Sequence, residues 1–411
     1  MKWPKVSLDG IKAPVRYAFV GGPFGSNLTT RDYVDEGVPV IRGNNLPADS
    51  TFLDDDFVFV KEQKAESLTS NLARAGDLIF TQRGTLGQVG LIPAEPRFAS
   101  YVISQSQMKL TVDPDKADAK FIYFYFRSPT TVQSVINHAL TSGVPHINLG
   151  ILKRFEVPLP PLATQRRIAE VLTAYDELME NNRRRMALLE AAARQLYAEW
   201  FVRLRYPGHA RTRRADSLPK GCERVRTPEA IEINPTSRLS SEEEHWWVEM
   251  SDLPTNSMVI QNAVKRDGRS GSKFRNGDTL LARITPCLEN GKTGFVDFLP
   301  EGEVGRGSTE FIVLRSKRVT SEFVYCLART YEFRENAIKS MVGSSGRQRV
   351  KESCFEKFMV VVPPRSVLDQ FSEFSAPVFR QIKLLHTQTQ KLRTARDLLL
   401  PRLMSGELAV K

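Results

Sequence analysis

The side chains with chemistry to offer in this chain are hydrogen-bond donors and cations. In the first half Arg42, Asn44, Asn45, Gln82, Arg83, Gln105 and His146 stand in polar stretches; in the second Arg283, Lys292, Arg306, Arg347, Gln348 and Arg349 do. Guanidinium forks pair with phosphate or carboxylate oxygens, and carboxamides both donate and accept. Such groups recognise a polar surface and break no bonds. The tandem Arg347, Gln348 and Arg349 is the strongest candidate, because it occupies a loop equivalent to Gly143–His146. His146 itself is expected to pack against or cap the adjacent strand.

Spacings that carry catalysis are missing. An amine methyltransferase needs (N/D)PP(Y/F) to hold a flipped base, but the PP dipeptides here stand in LPPL and VPPR. No GxxxxGK(S/T) phosphate loop occurs, and GTLGQVG does not replace it. The carboxylates of DPDKADAK (113–120) crowd one loop, too close together for a metal nuclease. Cys222, Cys287, Cys326 and Cys354 form no CxxC and do not gather with the five histidines, which argues against zinc and against disulfides. The expectation is no catalytic residue and no metal ligand: a recognition or scaffold subunit.

These side chains need elements to position them, and the chain supplies those twice. GDLIFTQRGTLGQVGLIP from Gly76 is answered by GDTLLARITPCLENGKTGFV from Gly277. KFIYFYF at Lys120 is answered by EFVYCLA at Glu322, TSGVPHI at Thr141 by SSGRQRV at Ser344, and FEVPLPP at Phe155 by FMVVVPP at Phe358. The offset stays at 201 to 203. Short runs rich in Val, Ile and Phe predict strands over 57–60, 77–82, 88–93, 107–112 and 155–160. In the second copy they predict strands at SMVIQNAV, TLLAR, TGFVDFL, EFIVLRS and FMVVVPP. Phe121, Phe124, Tyr125, Val132, Val135 and Ile136 predict helices packed on a sheet, and SEFVYCLARTYEFRENAIKSM repeats them. Sheet-rich segments followed by helices make each copy an α+β domain. The loops diverge: RGNNLPADS follows VPVI in the first copy, where the second reads EMSDLPTNS. A shared scaffold with unlike polar loops suits two different ligands. The basic stretch 203–221 between the copies reads as a surface linker.

After each PP comes a long apolar-periodic segment. Ile168, Leu172, Tyr175, Met179, Met186, Leu189, Ala193, Leu196 and Trp200 alternate gaps of four and three, with Asn182 in the polar slot. That is a heptad seam, on a rod of roughly 54 Å. Phe371, Phe374, Val378, Ile382, Leu385, Leu392, Leu399 and Leu403 are compatible with it, with Thr389 polar between them. Pro377 is expected to start or kink the second helix, and Pro401 with Gly406 to stop it. Pairing within the chain is expected to be antiparallel, although a seam also permits pairing with another chain.

The 411 residues suit two domains and connectors. Hydrophobic content of 41% with 26% charged residues fits a soluble globular protein. The net charge of +11 favours a polyanion partner. No apolar run approaches the roughly 20 residues that cross a bilayer, and MKWPKVSLDGIKAP is no signal peptide, so the cytoplasm is the expected compartment.

Domain, helix, domain, helix, with PLPPLATQRRIAEVL opening the first helix and LLPRLMSGEL closing the second, resembles the specificity subunits of type I restriction-modification systems. GGPFGSNLTTRDYVDEGVPVIRGNNL resembles the opening of that family's first half, and LPKG followed by IEINP that of its second. GDLIF and GDTLL resemble its Gly-Asp-strand element, and the resemblance spans essentially the whole chain. It implies two target recognition domains, 1–161 and 206–365, in a pseudo-two-fold arrangement. Helices 162–205 and 366–411 would separate them as an antiparallel coiled coil. It further implies double-stranded DNA as ligand, read as a bipartite gapped target. Two methyltransferase subunits and motor-nuclease subunits would be the partners, carrying S-adenosylmethionine, ATP and Mg that this chain does not bind. The polar candidates above would then contact bases and phosphates. The residues alone leave open a scaffold that binds protein and reads no sequence.

Overall fold

The computed structural model describes residues 3–48, 50–140, 145–209, 214–215, 218–239, 244–268, 270–344 and 346–410. Thr141 to Val144 of the repeated TSGVPHI, Ser345 of its counterpart, and 210–213 and 216–217 of the basic stretch lie outside the described residues. The chain forms two compact units, Met1–Asn181 with Thr389–Lys411, and Asn182–Gln388.

The Gly-Asp element shows why the repeat is kept. Gly76 takes φ +82° and Gly277 φ +89°, backbone that glycine enters at no steric cost. The turn lets the next carboxylate accept from a backbone N–H three residues back: Asp77 from Arg74 and Asp278 from Arg275, both at 2.8 Å. The chain then leaves as a fully buried strand, Leu78–Thr81 or Thr279–Ala282. A buried carboxylate needs partners, and each copy found its own. Asp77 accepts from Thr111 Oγ1 at 2.5 Å, with Lys109 Nζ 3.9 Å away. Asp278 takes a two-pronged bond from Arg315, Nε at 2.8 Å and Nη2 at 2.7 Å. That bond raises the Arg315 pKa against the opposing effect of burial.

Each Gly-Asp strand lies inside a four-stranded antiparallel sheet. In the first unit the order is Phe19–Gly21, Gln107–Leu110, Leu78–Thr81, Val89–Leu91. In the second it is Ile231–Ile233, Phe311–Ser316, Thr279–Ala282, Thr293–Phe295. A second sheet also repeats: Val58–Val60, Val38–Ile41, Tyr101–Ile103, Leu72–Ala73 against Val264–Asp267, Glu244–Val248, Gly305–Gly307, Ser272–Phe274. Each holds one parallel pair, through Val40 opposite Val102 and Val248 opposite Gly307. The first unit adds an edge strand, Tyr33–Val34. The strands before each PP pair with a strand near the start of their copy, Glu156–Pro158 with Lys5–Ser7 and Met359–Val362 with Glu223–Arg226.

Two helices cover each central sheet, Ala119–Arg127 and Pro129–Asn137, then Ser321–Ala328 and Tyr331–Lys339. Their caps correspond: Asp118 and Thr320 accept from Phe121 and Phe323, while Ser128 and Thr330 accept from Thr131 and Phe333. Phe121, Phe124 and Val135 are buried, whereas Ile136 stays 41% exposed.

The first long helix is Leu162–Tyr197, continued by a wider π turn, Ala198–Val202. Gln165 anchors its start, donating to Pro160 O at 2.8 Å and accepting from Asp118 N at 3.0 Å. Ile168, Leu172, Met179, Asn182 and Ala193 are buried as the heptad predicts. The strict heptad then fails. Leu189, Leu196 and Trp200 are only half-buried, and Glu190, Tyr197 and Phe201 take the core positions. A straight helix of 3.6 residues per turn drifts ~20° per heptad, so its buried stripe slides away from a 3.5 repeat. The second long helix slides in the same way: Ser375, Arg396 and Leu400 are buried, while Phe374 is exposed and Leu392 and Leu399 half-buried.

That second helix is continuous over Arg365–Met404. Pro377 therefore does not start it; the proline faces outward, where its ring displaces no packed neighbour. Pro401 does not stop it either, because its carbonyl still accepts from Ser405 N at 3.0 Å. The stop comes at Gly406, with φ +72°. Within the first unit the two helical segments are tied by Arg396 Nη1 and Asp176 Oδ1 at 2.5 Å. Within the second, Phe371 packs on Tyr197, Trp200 and Phe201, and Glu190 accepts from Tyr325 Oη at 2.6 Å and Met258 N at 2.7 Å.

Two further sequence expectations change. SMVIQNAV contributes only Val264 to a strand; the strand preceding it is Glu244–Val248. The basic stretch is not wholly surface: Tyr206 is 3% exposed and joins the second unit's core. Among the described residues no helix is long and apolar enough to cross a membrane.

Candidate nucleic-acid interface

Hydrogen bonds between equivalent backbones fix which side chains correspond. Arg83 and Leu140 both bridge to His146; Ile284 and Val342 both bridge to Arg349. His146 and Arg349 are thus counterparts, as are Gln82 and Arg283, whose carbonyls accept from Ile147 N and Val350 N. Gln88 corresponds to Lys292, each carbonyl accepting at 3.1 Å from the end of the Gly-Asp strand. After the central strand of the second sheet, Arg42 N donates to Asn45 Oδ1 at 2.9 Å, and Glu249 N to Asp252 Oδ2 at 2.7 Å. Arg42 therefore corresponds to Glu249, and Asn45 to Asp252.

In the first unit these positions open a cleft of about 890 Å³. Arg42, Asn44, Arg83 and Gln105 meet there, joined by Thr29, Thr81 and Gln88. The exposed Arg83 has no side-chain hydrogen bond or ion pair among the described residues. Arg42 Nη2 donates to Asp56 O at 3.2 Å, and Asn44 Nδ2 to Asp56 Oδ2 at 2.8 Å. Gln105 shapes a wall: its amide donates to Gly25 O at 2.6 Å and Leu28 O at 2.5 Å. Gly22 permits the close approach behind it, since a Cβ there would stand 2.1 Å from Ser104 O.

The second unit carries an ionic network at the same place. Arg349 Nε donates to Glu310 Oε1 at 2.9 Å and Oε2 at 3.0 Å, and Nη2 donates to Oε1 at 2.7 Å. Those bonds raise the Arg349 pKa above its ordinary value. Arg283 Nη1 lies 3.2 Å from Glu352 Oε1, and its Nε lies 4.0 Å from Glu310 Oε2. Arg347 is exposed; Gln348 is half-buried, its backbone N donating to Thr285 Oγ1 at 3.0 Å.

Some candidates serve the fold. Asn45 is 0% exposed; besides capping Arg42 N it donates to Leu53 O at 3.1 Å and Asp55 O at 2.9 Å, so it offers nothing outward. Its loop position gave the wrong sign because an Asx cap and a ligand-facing asparagine share the same sequence context. Lys292 Nζ donates to Met250 O at 2.6 Å, and Arg306 lies half-buried in a strand with Nη1 3.4 Å from Ser270 O. His146 is half-buried, and its backbone bridges to both Arg83 and Leu140. Missed were the acids: Glu249, which pairs with Arg266 at 2.6 Å, together with Glu310 and Glu352. A search for cations and amides passes over the carboxylates that orient them. Among the described residues no three His, Cys, Asp or Glu gather as metal ligands.

Against known proteins, residues 27–191 match the type I restriction modification DNA specificity domain. The type I restriction enzyme MjaIX specificity subunit of Methanocaldococcus jannaschii is 24% identical over 369 residues, 86% of this chain and 82% of that protein. The EcoEI specificity subunit of Escherichia coli is 30% identical over 158 residues, 36% of this chain and 26% of that protein. The crystal structure of a type I restriction-modification S subunit from M. genitalium shares the fold, with a TM-score of 0.58 at 16% identity over 98% of this chain and 96% of that one. Along most of its length the chain is thus similar to a type I restriction enzyme specificity subunit, and residues 27–191 match that family's DNA specificity domain.

Proposed function

We propose that this chain is the sequence-specific DNA-binding subunit of a type I restriction-modification complex, reading a bipartite gapped target. One observation carries this reading: two copies of one framework present unlike side chains at equivalent positions. Arg42, Arg83 and His146 in the first stand where Glu249, Ile284 and Arg349 stand in the second. Base edges in the major groove differ in donor and acceptor pattern, so two unlike arrays read two unlike half-sites. The excess of positive charge adds salt-dependent attraction to phosphates. Residues 1–161 and 206–365 serve as target recognition domains, and 162–205 and 366–411 as spacer helices that dock two methyltransferase subunits. Motor-nuclease subunits complete the assembly. S-adenosylmethionine, ATP and Mg belong to those partners, and catalysis with them.

Methylome sequencing of a host expressing this chain with its methyltransferase tests the division of labour. Arg42→Ala with Arg83→Ala should degrade one half-site and leave the other intact; unaltered methylation, or equal loss at both, would overturn it. A heptad inserted into both long helices adds ~10 Å and should lengthen the preferred gap by about three base pairs. An unchanged gap would remove the spacer role.

A further inference from the structure

The Arg349–Glu310 pair is built in a way that selects among ligands. All three of its hydrogen bonds use Nε and Nη2, one edge of the guanidinium. The adjacent end-on edge, Nη1 with the second hydrogen of Nη2, takes none of them. It belongs to a side chain 47% exposed on a loop that bridges back to Ile284. The carboxylate thus holds the plane of the guanidinium and leaves a parallel pair of N–H donors facing out. Two acceptors side by side satisfy that edge. Guanine O6 and N7 supply them in the major groove, and a phosphate supplies them too.

Charge decides between these. Arg283, Arg349, Glu310 and Glu352 form one contiguous network of two cations and two carboxylates, formally neutral. A neutral network gains little from a phosphate, and Glu310 would repel it. A guanine edge is uncharged and asks only for two well-aimed donors. Resting on the DNA-reading function above, we propose that Arg349 is a specificity-determining residue of the second copy, held by Glu310 to donate two hydrogen bonds to a guanine. The first copy cannot do this at the equivalent place, where His146 and Ser106 stand. Glu310 is a positioning residue, acting through the arginine.

The test uses the assembled complex of this chain with its methyltransferase subunits, selecting from a randomised duplex library. Wild type should require G·C at one position of the half-site assigned to the second copy. Arg349→Ala and Arg349→Lys should each cut discrimination at that one position by about 10- to 100-fold, since lysine lacks the fork. The other half-site should not change. Replacing that guanine with 7-deazaguanine, which lacks the N7 acceptor, should weaken wild type about 10-fold and leave Arg349→Ala unaffected. Glu310→Ala should weaken the same preference while raising affinity for random duplex and steepening its salt dependence by about one unit; a purely structural glutamate would give no such rise. Uniform weakening of all sequences by Arg349→Ala would make the contact a phosphate contact and overturn the proposal. Unchanged selection would overturn it while leaving the DNA-reading function standing. Failure of wild type to select any sequence would instead overturn that function, and this proposal with it.

Discussion

The two copies differ least where the chain turns and most where it faces solvent. Gly76 and Gly277, Asp77 and Asp278, and the helix caps Asp118 and Thr320 keep their geometry while changing partners or even residue type. At the candidate interface, Arg42 against Glu249 and Arg83 against Ile284 change charge altogether. Backbone donors and acceptors must be satisfied in any version of the fold, whereas an exposed side chain is constrained only by what it binds. One framework can therefore carry two unrelated surfaces. The first offers a cleft of neutral polar groups and two arginines. The second offers a pre-paired ionic lattice.

The same contrast extends into the core, where it yields the largest expected effect. Asp278 neutralises a buried guanidinium, while Asp77 mainly accepts from a hydroxyl, and Lys109 beside it also donates to Leu72 O at 2.7 Å. Asp278→Ala should therefore cost about 3–5 kcal/mol, because Arg315 is left charged and unpaired. Asp77→Ala should cost about 1–3 kcal/mol. Urea unfolding, with hydrogen exchange reporting each unit separately, measures both. Equal losses would break the comparison; recovery of stability in Asp278→Ala with Arg315→Met would sharpen it, by showing that the orphaned charge is the cost.

Much of the framework could be read from the residues because it rests on local rules. Gly-Asp before an apolar run, capped aromatic helices and PP exits each satisfy nearby backbone, so they leave a pattern. Val38–Ile41 was not legible as a strand, since Pro39 removes a donor. The structure admits it by starting the parallel ladder one residue later, at Val40. The helix seams were legible as stripes but not in their period, because 3.5 and 3.6 diverge only after several turns. At the candidate interface, the correspondence of His146 with Arg349 followed from spacing alone. The inward turn of Asn45 did not, since a capping and a ligand-facing asparagine leave the same local pattern, nor did the hold of Glu310 on Arg349, which joins segments 39 residues apart.

A smaller effect distinguishes the copies by pH. Asp297 follows the strand after the Gly-Asp turn, where the first copy has Pro93. Burial pushes Asp297 from its ordinary 3.8 to about 6, more than Lys383 nearby can offset. Its folded pKa is the higher one, so the folded chain holds the extra proton. Stability from this group is therefore present at low pH and lost as pH rises from below about 4 through about 6. Asp297→Asn removes the titration. Its advantage over wild type should grow by about 1–2 kcal/mol between about pH 4.5 and about pH 8, read by urea unfolding. The growth should be confined to the unit that holds Asp297, because proline at the equivalent position cannot titrate. A pH-independent difference between the two proteins would mean that Lys383 holds the carboxylate charged throughout, and the asymmetry would then lie in pairing and not in burial.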